Sequence, residues 1–290
     1  MFARSNRCLL AAGIALFIIS GCAPSHTAPL PASRRLKAPS RISRHNFSTA
    51  RRVITERDLL KLQQKDPVLD FSRCVEILAR LNKMDPEYIR SDIKLHKPLI
   101  VPKDFASYVN WSPLPRNIPE VRKFPHFILV VKNIPFLGWY ANGRLVDDTY
   151  VGIGKLNTWT KAGFYRVDRK DPVHWSTYPD AYGDPAVMPD ALHIYARVWI
   201  HLGDVIGPYC SHGCINVPMG YSGKLWDWAP VGTPVLVTQS LKDLHRDLRV
   251  ALRKKRVLKR RFRKKRIVRR KPLKSVHKKQ VKFLKTAPKQ

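Results

Sequence analysis

The N-terminal part of the sequence lacks an apolar run long enough to cross a membrane. Residues 8–19 form an apolar run of 12 residues, whereas a membrane-spanning helix needs roughly 20. The sequence also lacks an internal repeat and the Cys-x2-Cys pair that is typical of zinc knuckles. These absences argue against a transmembrane helix at residues 8–19, a repeat protein and a knuckle-type zinc site.

The short apolar run fits the hydrophobic region of a signal peptide. Arg4 and Arg7 precede it, and small residues before Cys22 follow it, a combination that resembles the lipobox of bacterial lipoproteins. We therefore expect residues 1–22 to be a lipoprotein signal peptide with Cys22 acylated. The alternative is a plain secretory signal or an uncleaved anchor. In each case we expect export. For the lipoprotein we expect the periplasm of the bacterial cell envelope, with the lipid anchor holding the protein to a membrane.

Acidic residues are scarce in one region in particular. Residues 251–290 contain 20 Lys and Arg and no Asp or Glu, although the formal net charge of the whole chain is +33. Residues 121–240 are nearly balanced, with 11 basic and 9 acidic residues. We expect residues 241–290 to be a disordered or helical basic tail. In an exported protein its partners would be anionic envelope polymers rather than a specific nucleic acid.

Two segments precede the predicted catalytic region. Residues 23–52 have four prolines, seven basic residues and no apolar periodicity, so we expect an extended linker. Residues 53–104 are mostly helical in pattern. Asp70 or Ser72 is suited to cap a helix that runs to Leu81, a second short helix follows Asp85-Pro86, and the segment KPLIVP ends in a strand. We expect a small helical module here.

Residues 122–240 have the pattern of a β domain. Asn142-Gly143 is a strong hairpin signal, because both central residues of a type I′ turn need positive φ. Repeated short strands favour a closed or sandwiched, mainly β fold with a short helix near residues 221–228. The predicted strands cover residues 127–131, 136–140, 144–151, 163–167 and 234–238.

The segment CSHGCIN, residues 210–216, places two cysteines on either side of a histidine. A zinc site is one interpretation, with His201 as a fourth ligand. Ligands at alternate positions of an extended segment span about 13 Å, so only a tightly coiled loop would bring them to one ion. A disulfide is another interpretation. Acylation of Cys22 would leave Cys74, Cys210 and Cys214, which cannot all pair within one chain.

A nucleophile explains more of the neighbouring residues. A thiol needs a base or a positive neighbour to become a thiolate, and His201 and His212 are close in sequence. In an extended segment His212 and Cys214 point to the same side, about 6.6 Å apart. Gly213 leaves space for a substrate carbonyl to approach backbone N–H groups, an arrangement that suits an oxyanion hole. The residues alone do not decide which histidine is the base.

The segment His201-x9-Ser211-His212-Gly213-Cys214-Ile215-Asn216 resembles the motif of the L,D-transpeptidase family with a YkuD-type catalytic domain. The spacer, with Gly203 and Gly207-Pro208, is similar to that of the short-spacer members. His193 stands at the longer spacing of other members and is the alternative first histidine. The likeness continues in VGIGK at 151–155, AGFYRV at 162–167 and GTPVLV at 232–237.

The resemblance implies a YkuD-like β-sandwich, with Cys214 as nucleophile and His201 as general base. It also implies that the Leu202 carbonyl fixes the tautomer of His201. Ser211, His212 and Gly213 would shape the site, with N–H groups near Gly213 and Cys214 as the oxyanion hole. Asn216 stands where members have Arg or Asn and would contact substrate. Cys210 departs from the small residue that is usual before the Ser.

The resemblance further implies a reaction without metal or organic cofactor. Cys214 would attack a peptidoglycan tetrapeptide stem at its third residue and release D-alanine. An amine acceptor would then resolve the thioester, which would cross-link the wall or attach a lipoprotein. Carbapenem-type β-lactams would acylate the same thiol. The alternatives are an L,D-carboxypeptidase or peptidase that hydrolyses the same bond, and a non-catalytic envelope tether that uses the basic tail.

The module at residues 53–104 resembles the LysM-like cell-wall-binding modules that precede some of these domains. Leu81-Asn82 and the ending LIVP at 99–102 carry the likeness. The usual Gly-Asp opening is absent. The resemblance implies glycan binding by this module.

Overall fold

The structure is a computed structural model that describes residues 47–156, 158–179 and 183–253. All the described residues belong to one compact unit. The expected signal peptide, Cys22 and most of the basic tail lie outside the described residues. No helix in the described part of the chain has the length and apolarity that a membrane span requires.

The first elements form a small helical module. It contains β1 (Thr49–Arg52), α1 (Glu56–Lys65), α2 (Phe71–Asn82), α3 (Pro86–Lys94) and β2 (Leu99–Pro102). Asp70 caps α2 by accepting a hydrogen bond from the Arg73 N–H at 2.7 Å, and Pro86 begins α3, as the sequence predicts. Thr55 and Asp58 form a capping box at α1. The boundaries of the module at 53 and 104 stay a prediction.

Strand β1 lies inside the segment that we expected to be an unstructured linker. It pairs with β2 in antiparallel register, and all four of its side chains are exposed. An exposed edge strand has no apolar alternation, which is why its sequence gives no strand pattern. The Asn82 side chain ties α2 to β2, because its Oδ1 accepts from the Ile100 N–H at 2.8 Å.

The remaining elements build the predicted sandwich. The strands are β3 (Phe127–Val131), β4 (Phe136–Ala141), β5 (Arg144–Tyr150), β6 (Ile153–Gly154), β7 (Gly163–Arg166), β8 (Arg169–Pro179), β9 (Pro185–Tyr195), β10 (Val198–Leu202), β11 (Tyr209–Ser211), β12 (Ile215–Val217) and β13 (Pro234–Thr238). Helix α4 (Ser222–Trp228) covers one end. Asn142 and Gly143 have φ of 50° and 79°, which confirms the predicted turn between β4 and β5.

Two sheets face each other. One has five strands in the order β5-β4-β3-β13-β7 and the other has four in the order β12-β10-β9-β8. Alternate residues of β3 point to opposite faces. Ile128 and Val130 join the core between the sheets, whereas Phe127, Leu129 and Val131 pack against the helical module. The expected mainly β sandwich with added helices is confirmed, and the module covers the outer face of its five-stranded sheet.

The beginning of the basic tail is part of this core. A helix covers residues 244–253 of the described chain, and Leu244 and Leu248 are buried in the cluster that contains the helical module. Asp247 accepts a hydrogen bond from Thr238 at 2.8 Å. The sequence allowed a helical tail here, but the packing of this helix against the core follows only from the tertiary structure.

Candidate active site

Two neighbouring parallel strands carry the motif residues. In the pairing of β10 with β12, Ile200 lies opposite Ile215 and His201 lies opposite Asn216. The isoleucines point into the core between the sheets. Because side chains alternate along a strand, His201 and Asn216 point to the other face, as does Cys214 at the start of β12. The predicted base and nucleophile therefore lie on the same face of two neighbouring strands.

This face forms one wall of a pocket of about 580 Å³. The pocket is lined by most of the residues that the sequence predicts for the site, namely His201, Ser211, His212, Cys214 and Asn216. Gly213 belongs to the loop between these residues. The lipidation residue Cys22 lies outside the described part of the chain.

His201 is the more strongly buried of the two predicted catalytic side chains, at 7% exposure. Its Nδ1 donates to the carbonyl of Leu202 at 2.7 Å, which is the contact that the family resemblance implies. The pKa of His201 is lowered to about 4, chiefly by burial; the hydrogen bond to Leu202 opposes the shift, and the charge of His174 adds to it. The ring is therefore neutral at neutral pH, with its proton on Nδ1.

Cys214 packs against Met188, Ala191 and Trp199. Its Sγ lies 3.7 Å from the carbonyl oxygen of Arg197. Burial raises the pKa of the Cys214 thiol, although a hydrogen bond from the Trp199 backbone opposes the shift. The resting site thus holds a neutral thiol beside a neutral imidazole, and not a preformed ion pair.

His193, the alternative first histidine, lines the same pocket. Its Nδ1 contacts Asp168 Oδ1 at 2.5 Å, and its Nε2 contacts the carbonyl oxygen of Ala196 at 2.8 Å. Both ring nitrogens of His193 are thus engaged by oxygen atoms, whereas His201 makes its hydrogen bond to Leu202 through Nδ1. The geometry favours His201 over His193 as a base.

The loop before Cys214 is held by side-chain hydroxyls. Ser211 Oγ donates to the Cys214 carbonyl at 2.6 Å and accepts from the Gly213 N–H at 3.0 Å. The buried Thr160 donates to the Gly213 carbonyl at 2.8 Å. Gly213 has φ of 130°, a region that L side chains rarely adopt. The Gly213 N–H is thus used inside the loop, which leaves the N–H of Cys214 as the predicted oxyanion donor.

His212 is held between two aromatic rings. The ring centroid of Trp159 lies 5.6 Å from that of His212, and Tyr178 stacks on it at 4.9 Å with an interplanar angle of 3°. Tyr178 stands at the end of β8, far from the motif in sequence. Neither ring was assigned a role from the sequence, because no local pattern connects them to residue 212.

Asn216 and Cys210 both support the loop that follows His201. Asn216 Nδ2 donates to the carbonyl of Asp204 at 3.0 Å, and Cys210 Sγ lies 3.8 Å from the same oxygen. The amide of Asn216 therefore has a structural contact in addition to its exposure to the pocket. Cys74, Cys210 and Cys214 are all free thiols, so the alternative of a Cys210–Cys214 disulfide is not what the structure contains.

The charged side chains of the pocket are all basic. Arg169 and Arg197 line it together with four histidines, and no Asp or Glu is among its described lining residues. Among the residues that the structure describes, no group of three or more His, Cys, Asp or Glu side chains is arranged to hold a metal ion. The pocket therefore suits a substrate that carries carboxylates.

Residues 125–237 match the family model of the L,D-transpeptidase catalytic domain, YkuD. This stretch of the chain is therefore similar to the YkuD catalytic domain. Both sandwich sheets and every motif residue lie within it, so the resemblance seen in the sequence is confirmed for this domain. The helical module and the C-terminal helix lie outside the match. A comparison with curated proteins gave no match.

Several solved structures are similar to this chain. An L,D-transpeptidase from Stackebrandtia nassauensis is 23% identical with a TM-score of 0.36, over 41% of this chain and 57% of that one. One from Enterococcus faecium is 28% identical with a TM-score of 0.34, over 39% and 50%. One from Xylanimonas cellulosilytica is 20% identical with a TM-score of 0.44, over 66% and 98%. The chain thus spans little more than half of the first of these.

Proposed function

We propose that the protein is a peptidoglycan L,D-transpeptidase that transfers an acyl group through Cys214. The observation that carries the proposal is the state of His201 in the YkuD domain. Its Nδ1–H is bonded to the Leu202 carbonyl, so its Nε2 is an unprotonated base on the side of the pocket that also holds Cys214. The fixed tautomer supplies what general-base activation of a thiol requires.

In the first half of the proposed reaction, His201 Nε2 takes the thiol proton as sulfur attacks the carbonyl of the third stem residue. The tetrahedral oxyanion accepts a hydrogen bond from the N–H of Cys214. The protonated His201 then gives its proton to the nitrogen of D-alanine, which leaves, and a thioester forms. Because burial lowers the pKa of His201 to about 4, its protonated form is a strong acid for this step.

In the second half, an acceptor amine attacks the thioester carbonyl and loses a proton to His201. The C–S bond breaks, and the thiol regains that proton. Water in place of the amine would give the alternative, an L,D-carboxypeptidase. Arg169 and Arg197, which line the pocket, are suited to bind the carboxylates of the stem peptide.

We also propose that the enzyme acts in the bacterial envelope, anchored through Cys22, with its basic tail on anionic polymers. Support comes from the signal-like residues 1–22 and from the concentration of charge in residues 251–290. A stem-peptide substrate would be available in that compartment. Wall glycan binding by the helical module belongs to the same proposal.

The decisive experiment incubates the protein, without residues 1–22, with disaccharide-tetrapeptide and determines the product masses. A dimer formed with loss of D-alanine is expected. Tripeptide as the sole product would indicate hydrolysis instead of transpeptidation. If the disaccharide-tetrapeptide is not converted at all, the non-catalytic tether is favoured. Cys214→Ala is expected to abolish product formation and acylation by a carbapenem, and activity in this variant would refute the nucleophile assignment.

A further inference from the structure

The loop that follows β10 controls the orientation of His201. The strand ends at Leu202, whose carbonyl receives the His201 Nδ1–H at 2.7 Å, and the chain then turns through residues 203–205. A displacement of this loop would move the Leu202 carbonyl away from the ring. The tautomer of His201 therefore depends on what holds residues 203–205 in place.

A carboxylate from the helical module holds the end of this loop. Asp85 Oδ2 accepts from the Val205 N–H at 2.7 Å, and the Asp85 N–H donates to the Val205 carbonyl at 2.8 Å. The other oxygen, Oδ1, accepts from the Tyr150 hydroxyl at 3.0 Å. Asp85 is buried at 7% exposure, so both of its oxygens are satisfied in a place that water hardly reaches.

The position of Asp85 in its own helix makes this contact unusual. Asp85 occupies the N-cap of α3, yet its side chain makes no capping hydrogen bond there. By contrast, the N-cap residue Asp70 of α2 bonds the Arg73 N–H of its own helix. A carboxylate that usually stabilises its own helix is directed instead to a loop 120 residues further along the chain.

The Tyr88 hydroxyl of α3 also contacts this loop, at Asp204 Oδ2 (3.5 Å), and the remaining contacts come from within the YkuD domain. They are the Asn216 and Cys210 side chains on the Asp204 carbonyl and the Gly203 N–H on the Val217 carbonyl at 3.2 Å. The Val205 side chain is fully buried in the cluster that includes the helical module. The helical module thus contacts Val205, the last residue of the loop, at both the backbone and the side chain of Val205.

We propose that Asp85 is a positioning residue for His201. It holds Val205, and with it the loop and the Leu202 carbonyl, so that the imidazole keeps its proton on Nδ1 and presents Nε2 to Cys214. This proposal rests on the proposed function, in which His201 is the base. It makes the helical module a part of the active site and not only a neighbour in the chain.

The test compares Asp85→Ala with Asp70→Ala and Asp85→Asn in the protein without its signal peptide. Asp70→Ala removes a helix cap from the same module without touching the loop. Asp85→Asn keeps an oxygen acceptor for the Val205 N–H. The measurements are kcat and KM for D-alanine release, and the ¹⁵N shifts of the His201 ring, which report the tautomer whether or not the enzyme turns over.

Asp85→Ala is expected to lower kcat about 10- to 100-fold, the range that small misplacement of a catalytic group costs, with KM changed less than about threefold. It should also reduce the Nδ1–H tautomer of His201. Asp70→Ala should lower only the unfolding temperature, and Asp85→Asn should retain most of kcat and of the tautomer.

An unchanged His201 tautomer in folded Asp85→Ala would overturn the proposal, as would equal changes in Asp70→Ala. If Asp85→Ala does not fold, Asp85→Glu replaces it, since the longer side chain moves the carboxylate away from Val205 and keeps the charge. A tautomer shift there supports the proposal, and none overturns it. Absence of D-alanine release from the unmutated protein would refute the proposed function alone, because the ring shifts still test the positioning.

Discussion

His201 and His193 share a pocket but differ in how many ring nitrogens are bonded. His193 has both nitrogens against oxygen acceptors, whereas the bond of His201 is made by Nδ1. We expect His201→Gln to lower kcat by about 10²- to 10⁴-fold, the contribution of a general base. His193→Gln should leave kcat within about threefold, because both nitrogens of that ring are already engaged by oxygen atoms. The rates of D-alanine release by the two variants measure this. A larger loss of kcat in His193→Gln than in His201→Gln would assign the role of base to His193.

The low pKa of His201 fixes the acid side of the pH profile. A base must be neutral to act, and burial lowers the pKa of His201 to about 4. Activity should therefore persist through the ordinary histidine range and fall only as the pH drops through about 4. The logarithm of kcat/KM against pH measures this. An acid limb centred near 6.5, the pKa of a solvated histidine, would contradict the burial of the ring.

The candidate reactive residues of this site are indicated by the sequence, whereas the distant residues that support them are not. Cys214 and His201 follow from a local motif, and so does the Leu202 carbonyl that bonds the ring. Thr160 and Asp85 do not, because each reaches the site from a distant segment and makes a contact that no local periodicity encodes. The N-cap pattern at Asp85 was recognised correctly as a helix start, but that pattern hides the direction of its side chain.

The β8–β9 hairpin is the element that reaches over the reactive loop, through the stack of Tyr178 on His212. Tyr178 is 51% exposed, so its loss should hardly affect the stability of the fold. We expect Tyr178→Ala to raise KM for the tetrapeptide about three- to tenfold, since such a stack contributes about 1 kcal/mol. Tyr178→Phe keeps the ring and serves as the control. Equal KM values for the two variants would show that the stack does not order the pocket.

Helix α2 is joined to β5 by a buried ion pair. Arg80 Nη2 lies 2.8 Å from Asp148 Oδ1, with side-chain exposures of 11% and 8%. Because Arg80→Ala leaves a buried carboxylate unpaired, we expect it to reduce the free energy of unfolding by about 3 to 5 kcal/mol. The exposed pair Arg73–Glu76 on the same helix is the control, and Arg73→Ala should cost less than about 1 kcal/mol. Urea unfolding compares them, and similar losses would contradict the distinction.

The same contrast between local and distant information holds for whole elements. The β4–β5 hairpin was predicted because Asn142-Gly143 encodes its turn within two residues. The β8–β9 hairpin was not, although it is the longest of the sandwich. β8 has no buried residue and β9 mixes exposed and buried positions without regular alternation. Both contain prolines, which usually argue against a strand. Pairing with β10 on one side and with β8 on the other defines the position of β9 in its sheet.

For the whole molecule, the division of charge predicts a separation between binding and catalysis. Residues 254–290 carry 19 Lys and Arg and no acidic residue, whereas the helix up to residue 253 includes buried Leu244 and Leu248. Deletion of 254–290 should therefore abolish binding to anionic vesicles and leave the unfolding temperature and D-alanine release unchanged. Sedimentation with vesicles measures the binding, which in the full chain should weaken as salt screens the charge. Retained binding after the deletion would refute the tether.

The place of β13 in the five-stranded sheet has a consequence for how the domain is assembled. β13 lies between β3 and β7, yet it comes last of the three along the chain. Until it arrives, β3 and β7 each present an unpaired edge, and their pairing must wait for long-range closure of the chain, which is slow. Such edges promote association between chains. A chain cut before residue 234 would therefore lack an internal strand of this sheet. It should aggregate, even though His201 and residues 211–216 of the motif would still be present.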